Sequence, residues 1–236
     1  MKVTAIYGQS HQGISWTITQ TLISHLKPDE ISEFFLPRDG PGCCIGCRKC
    51  FLEGEDKCPH HDKMAPIVEA IKKCDVLIIS SPNYVDGMSG ASKDMMDHLA
   101  YAWMSHRPMP EMFDKTGIVI ACSAGAGNRH VLDSMEKQMR SWMIPKVHRI
   151  GLITHAWGPE DLSDKKKHRI DKECRRIASD IASKQGRIPF SMRQRLLFSV
   201  FRSMQSGKSA WNETDRVWWE KQGWLGKGRP WKKRIE

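Results

Sequence analysis

No apolar run in the chain approaches the ~18 residues that would cross a bilayer as a helix, so a membrane span is not expected. There is no G-x-G-x-x-G fingerprint and no G-x-x-x-x-G-K-[ST] loop, which argues against a dinucleotide-type or P-loop nucleotide site. Internal repeats and low-complexity stretches are missing as well. The opening segment MKVTAIYGQS turns polar after one short strand and does not read as a secretory leader. The expectation is a cytoplasmic protein, where the eight cysteines are reduced thiols rather than disulfides.

The composition is that of a soluble globular chain. It has 236 residues, 40% of them hydrophobic and 27% charged, enough for one sizeable α/β domain with an appendage. The formal net charge of +10 is unevenly placed. Between Arg187 and Glu236 there are twelve basic and only four acidic residues, together with five of the nine tryptophans. A basic protein invites a nucleic-acid reading, but an excess confined to one tail says little about the first 186 residues.

Segments at 2–7, 31–36, 75–81, 116–122 and 148–154 have strand length, and the apolar runs within 75–81 and 116–122 are continuous rather than alternating. Pro82 is read as ending the third. Between them the apolar spacing is helical over 15–26, 62–73 (with Asp62 as N-cap), 89–104 and 130–142, and a mostly polar, exposed helix is expected over 164–183. Alternating strands and helices predict a parallel sheet covered on both faces, in the order 2-1-3-4-5.

Ligands in such sheets bind beyond the carboxyl ends of the strands. Three loops rich in Gly, Ser and Asn occupy those ends: Gly8 to Ser15, Ser81 to Gly87 and Ser123 to Asn128. The first runs into a helix N-terminus, whose free N–H groups suit a phosphate. Ordinary βα turns favour the same residues, so one such loop would mean little. Three at the proper strand ends point to a ligand site.

Gly8-Gln9-Ser10-His11-Gln12-Gly13-Ile14-Ser15 resembles the GSPRxxGNT phosphate loop of NAD(P)H-dependent FMN reductases. Gln9, His11 and Ile14 depart from the Ser, Arg and Asn common there. Ser81-Pro82-Asn83-Tyr84, with Gly87, Ser89, Lys93 and Asp97, resembles that family's SPxYxxxxSxxxKxxxDR segment, with His98 in place of the final Arg. The resemblance covers roughly residues 1–155. It implies a flavodoxin-like three-layer fold and non-covalent FMN. The cofactor would touch Gly8, Ser10, His11, Gly13, Ile14, Ser15 and Trp16 at its phosphate. Pro82, Asn83, Tyr84, Val85 and Gly87 would line the ring, and Ser123, Ala124, Gly125 and Gly127 its far edge. The flavin carries the hydride chemistry, so no acid–base catalyst is nominated.

Cys44-x2-Cys47-x2-Cys50-x7-Cys58 offers four thiolates within fifteen residues, a spacing able to hold a [4Fe–4S] cluster and similar to the iron–sulfur flavoprotein branch of the superfamily. Zinc, a redox dithiol and a loop that merely packs near the flavin remain open. Cys43 is not expected to be a ligand, Cys74 and Cys122 read as core residues, and His60-His61 as a solvated helix start.

Residues 190–204 place Leu196, Leu197, Val200, Phe201 and Met204 on one helical face. That face is expected to dock on the core or on a second subunit, rather than on a membrane surface. Asp215 to Trp224 resembles the DxxYWxxxGW ending of some flavodoxin-like reductases and is expected to cap the fold or a partner's flavin site. The chain thus divides into an FMN-binding domain (1–186, with the cysteine loop 42–58) and a basic, Trp-rich extension (187–236). The expected activity is transfer of electrons from NAD(P)H through FMN to a quinone, nitro compound, flavin or protein acceptor, in a homodimer that binds no nucleic acid and inserts in no membrane. The alternative is an iron–sulfur flavoprotein carrier fed by a ferredoxin.

Overall fold

The computed structural model describes residues 1–183, 190–207 and 212–232. The expected boundary between 186 and 187, Trp211 and the basic residues Lys233 and Arg234 lie outside the described residues. Strands β1 (Lys2–Tyr7), β2 (Glu30–Phe35), β3 (Val76–Tyr84), β5 (Thr116–Ser123) and β6 (Lys146–Ile153) form a parallel sheet in the order β2-β1-β3-β5-β6. This is the expected 2-1-3-4-5 arrangement. One further strand, β4 (Gly87–Met88), pairs antiparallel with the end of β3.

Side-chain alternation along the strands builds two cores. Val3, Ala5 and Tyr7 of β1 and Ile118 and Ile120 of β5 face α1 (Ile14–Leu26) and α6 (Asp164–Ser183). Ile6, Leu77, Ile79, Val119 and Ala121 face α3 (His61–Lys73), α4 (Gly90–His98) and α5 (Asn128–Ser141). Cys74, Cys122 and Cys174 are buried in these layers, and burial pushes the Cys122 and Cys174 thiols up to about 12.

The structure corrects several local expectations. Pro82 does not end the third strand. It sits in β3, with Cys122 of β5 as its register partner, and β3 continues to Tyr84. A two-residue turn at Val85 and Asp86, with φ of 51° and 60°, then folds the chain back into β4. Both values lie in the left-handed region that a hairpin turn of this hand requires. The N-cap of α3 is His60, with Asp62 in the first turn. The helix begun at Ser89 stops at His98, and the chain tightens into a 3-10 turn over Ala100–Ala102 that buries Tyr101 and Ala102. Among the described residues no helix is long and apolar enough to cross a membrane.

The C-terminal segment adds α7 (Met192–Ser206) and α8 (Glu213–Lys221). Phe198, Trp219 and Trp224 form an aromatic knot, with ring centroids 5.2 to 5.5 Å apart, packed on Met104, Phe113 and Met143. Trp219 Nε1 donates to the His106 carbonyl at 2.6 Å and Gln205 Nε2 to that of Ser105 at 2.9 Å. The extension therefore packs on the segment following α4. The expected apolar face of α7 is only partly turned inward. Gln194, Phe198 and Gln205 are buried, Phe201 packs against the aromatic knot from one side and Met204 is half-buried, while Leu196 and Val200 point outward, 65% and 47% exposed. The two glutamines can be buried because each amide donates to a backbone carbonyl, Gln194 to that of Met143.

Gly8 is fixed by packing. A Cβ there would lie 2.1 Å from Ser92 Oγ and 2.7 Å from Ser89 Oγ, both buried at the start of α4. Gly8→Ala is expected to cost about 1–3 kcal/mol through overpacking, read as a lowered midpoint in urea unfolding.

Candidate functional site

All three Gly/Ser loops lie at the carboxyl edge of the sheet. The first follows β1. Its backbone is tied to β3 by the Gly8 N–H, which donates to the Ser80 carbonyl at 2.7 Å. Gly13 is the N-cap of α1, with no side-chain cap and no acidic residue in the first turn. The leading N–H groups of α1, from Ile14 onward, are thus left without a capping side chain, at the positive end of the helix dipole. A Cβ on Gly13 would meet only the ends of two flexible side chains, Gln9 Nε2 and His11 Nε2, each at 2.9 Å. His11 and Ser10 are exposed, and the Ser10 hydroxyl donates to the Leu36 carbonyl at 3.3 Å. Ser15 is buried and hydrogen-bonds the Cys122 thiol, and Trp16 is half-buried against the α1 side of the core.

The second and third loops interlock. Asn83 Nδ2 donates to the Ala126 carbonyl at 2.7 Å. Gly127, at φ 90°, presses on the same hairpin: a Cβ there would lie 2.3 Å from Asn83 Nδ2 and 2.4 Å from Asp86 Oδ1. Its backbone conformation and this close approach both require glycine. The hairpin tip is open, with Tyr84 52% exposed and Val85 fully so. Pro82 and Gly87 are half-buried, and Ala124 and Gly125 are exposed.

Four buried polar atoms at this edge have no partner: Ser80 Oγ and Asn83 Oδ1 of β3, Ser123 Oγ at the end of β5, and Asn128 Oδ1 at the start of α5. Buried polar groups are nearly always satisfied. Their clustering marks this edge as a place where a polar ligand completes the hydrogen bonding. Together with the uncapped α1 terminus, the residues fit a flavin mononucleotide, with phosphate at α1 and heteroaromatic ring over the β3–β5 end. Asn128 belongs to the third loop but was not expected to face the cofactor, and the closing of the Ser89–Ser92 pair on Gly8 was not expected from sequence. Ser89 gives the signal of an N-cap, accepting from the Ser92 N–H at 3.2 Å.

The cysteine loop is less regular than expected. Cys44 and Cys47 are exposed, Cys50 lies half-buried on a short helix, α2 (Lys49–Leu52), and Cys58 follows a 3-10 turn. Burial, and next the Cys58 thiol, push the Cys50 thiol up; Cys44 and Cys47 add to the rise and Arg107 opposes it. Cys43 turns away, its thiol donating to Asp94 Oδ2 at 3.6 Å, and that carboxylate raises its pKa. Among the described residues no three Cys, His, Asp or Glu side chains come together to hold a metal ion. The [4Fe–4S] expectation for Cys44, Cys47, Cys50 and Cys58 is therefore not supported, and no step below runs through a cluster. His60 and His61 are also not simply solvated. His60 Nδ1 lies 2.8 Å from His98 Nε2, and His61 Nδ1 is 3.2 Å from the Glu55 carbonyl.

One buried residue outside every recognised motif organises this loop. Arg107, 3% exposed, donates to the carbonyls of Cys50 and Phe51, to Glu55 Oε2 at 3.3 Å and to Asp215 Oδ1 at 2.9 Å. Asp215 is fully buried, and its other oxygen is 2.7 Å from His106 Nδ1. Thr214, also in α8, donates to the Leu52 carbonyl at 2.8 Å. The C-terminal extension thus clasps the cysteine loop.

A parallel sheet in this order, with glycine loops and orphaned polar atoms at its carboxyl edge, defines an FMN-type flavodoxin-like protein. Residues 1–157 match the family described as NADPH-dependent FMN reductase, and the chain belongs to that family. It is similar to an iron–sulfur flavoprotein of Archaeoglobus fulgidus, 27% identical over 123 residues, or 50% of this chain and 53% of that one. An iron–sulfur flavoprotein of Methanocaldococcus jannaschii is 43% identical over 54 residues, 23% of this chain and 27% of that one. The chain spans about half the length of these curated relatives or less. Among solved structures, a flavone reductase superposes with a TM-score of 0.58 at 15% identity, over 81% of this chain and 66% of that one. An FMN-dependent NADH-azoreductase of Bacillus anthracis, solved with FMN, gives 0.57 at 14%, over 75% and 100%. At these identities the superpositions speak for the fold.

Asp215→Ala would take the buried carboxylate from the Arg107 guanidinium and leave it only the more exposed Glu55 as ion-pair partner. The expected cost is about 3–5 kcal/mol, seen as a lowered thermal midpoint, with faster alkylation of Cys50 than of Cys122 relative to the parent protein by mass spectrometry.

Proposed function

We propose that the protein is an FMN-dependent oxidoreductase that accepts a hydride from NAD(P)H and passes electrons to a quinone, nitro compound, free flavin or protein acceptor, working as a homodimer. The observation that carries this reading is the set of unpartnered buried atoms, Ser80 Oγ, Asn83 Oδ1, Ser123 Oγ and Asn128 Oδ1, at the edge where α1 begins uncapped. Membership of the FMN reductase family supports it.

Bound FMN would supply a two-electron centre able to take a hydride and release electrons singly or in pairs. The chain's part is binding and orientation. The amides of Ile14, Ser15 and Trp16 would hold the phosphate dianion, helped by the helix dipole and by the lack of a competing carboxylate in the first turn. Ser10 and His11 are exposed beside this terminus, and the Ser10 hydroxyl would exchange its bond to the Leu36 carbonyl for one to the phosphate. The Pro82–Gly87 hairpin and the Ser123–Gly127 loop would grip the ring from two sides, their spacing set by the Asn83–Ala126 hydrogen bond. The orphaned Asn83 and Asn128 carbonyl oxygens are acceptors for ring N–H groups, and the Ser80 and Ser123 hydroxyls can donate to ring oxygens. The open face beside Tyr84 and Val85 gives the nicotinamide and the acceptor a common approach.

Anaerobic mixing of the FMN-loaded protein with NADPH or NADH is expected to bleach the flavin band in a stopped-flow trace. Full retention of oxidised flavin with both would overturn the reductase reading in favour of a carrier reduced by another protein. Gly13→Val tests the site itself. Its backbone, at φ −87° and ψ −164°, is open to any residue, and the new side chain displaces only Gln9 and His11 tips. The variant is expected to keep its fold by circular dichroism and lose most of its FMN, by about tenfold or more in Kd through blocked approach to the amides.

A further inference from the structure

A fourth loop lies at the carboxyl edge of the sheet, after β6, and none of the roles above uses it. The parallel pairing of β5 with β6 runs on past Ser123 and Ile153. The Thr154 N–H donates to the Ser123 carbonyl at 2.8 Å and the His155 N–H to that of Ala124 at 3.0 Å. The loop is thereby stitched to the third Gly/Ser loop, whose other side holds the β3–β4 hairpin through the Asn83–Ala126 bond. Two residues beyond His155 stands Trp157, 97% exposed. Neighbouring strands run about 5 Å apart, which puts β6 about 10 Å from β3. Trp157 and Tyr84 therefore flank the third loop from either side.

The backbone that carries this indole is fixed on both sides. Before it, Ala156 is buried, its N–H donates to the Thr154 hydroxyl at 3.3 Å, and Lys166 Nζ donates to the Thr154 carbonyl. After it, Asp161 Oδ2 accepts from the Trp157 N–H at 3.3 Å and from the Gly158 N–H at 3.2 Å. His155 is held at φ 46°, a left-handed conformation that is costly for a residue with a Cβ and that gathers at ligand sites. Val85, Asp86 and Gly127 share a positive φ on the same edge. Among the described residues every other tryptophan is buried or half-buried. Trp157 alone is held out, on a backbone that has no freedom left to lose when a ligand meets it.

We propose that Trp157 is the platform on which the planar aromatic ring of a substrate stacks beside the flavin. The inference rests on the reductase reading above and adds the residue by which the site selects flat aromatic partners. The hydride donor carries a nicotinamide ring, and quinones, nitroarenes and free flavins are flat rings as well. One chemistry thus serves both halves of the reaction. An indole offers such a ring a wide face, and offset stacking adds to what the area removed from water contributes. The open approach beside Tyr84 and Val85 leads across the third loop to this indole.

The test is equilibrium titration of the oxidised, FMN-loaded full chain, followed by the flavin absorbance, with menadione in one arm and NADP+ or NAD+ in the other. Oxidised ligands meet oxidised flavin, so nothing turns over, and the result stands apart from the stopped-flow bleaching that decides the reductase reading. Trp157→Ala is expected to weaken binding about tenfold in at least one arm, and Trp157→Phe to keep most of the affinity. FMN content and circular dichroism are expected to match the parent, because the side chain removed is exposed. Weakening with menadione alone assigns the platform to the acceptor, with the dinucleotides alone to the donor, and with both to a shared site. Equal affinity of parent and Trp157→Ala in both arms overturns the proposal. So does a parent that binds neither ligand, and so does a Trp157→Ala variant that loses its FMN, which would give the indole to the cofactor.

Discussion

A single buried guanidinium ties three parts of this chain together. Arg107 takes up two carbonyls of the cysteine loop, a carboxylate of the adjoining turn and the buried Asp215 of α8. Its ring-stacking neighbour is Tyr101, 5.4 Å from the guanidinium carbon. Burying such a pair costs desolvation that the Coulomb attraction alone does not recover. It persists here because most of its hydrogen-bonding capacity is used. The consequence is geometric: the cysteine loop cannot shift without disturbing the extension, and the extension cannot lift without leaving a charge in the core.

The carboxyl edge of the sheet is organised differently. Its loops are held apart by backbone and glycine contacts rather than by ion pairs. Gly8 lets the first loop close on α4, and Gly127 lets the third close on the β3–β4 hairpin. Val85 carries the strain of this design, a β-branched residue at φ 51° on a fully exposed tip. Such a conformation costs of order 1–3 kcal/mol and survives only where its surroundings insist on it. The insistence comes from the Asn83–Ala126 bond and the Gly127 contact behind it.

Much of this was legible in the sequence because it is periodic. The five parallel strands and α1 follow from apolar spacing and the sheet order from their alternation with helices; α6 has its expected bounds, but a helix that reads as polar and exposed buries Ile170, Cys174, Ile177 and Ile181 beside α1. The loops at the carboxyl edge were located by composition, and Asp215, Trp219 and Trp224, fixed positions of the terminal motif, are among the buried residues of the extension. What escaped depends on partners far along the chain. Pro82 reads as a breaker, yet it occupies the end of β3. The inner face of α7 was misread because Gln194 and Gln205 look like surface residues until the carbonyls of Met143 and Ser105 are in place. Arg107 belongs to no local pattern, since its partners stand 52 to 57 and 108 positions away. The cysteine spacing, by contrast, was more regular than the side chains it placed.

The separation of Arg107 from Asp215 has a consequence for how the protein is made. The carboxylate leaves the ribosome 108 residues after the guanidinium it neutralises. At the usual speed of synthesis that is a delay of roughly 5–20 seconds. For that interval the strands of the sheet are available to pair, while Cys44, Cys47, Cys50 and Cys58 hang from a turn whose clasp has not yet been translated. A nascent chain of this protein therefore carries its cysteine loop unfastened until its own last helices have been made.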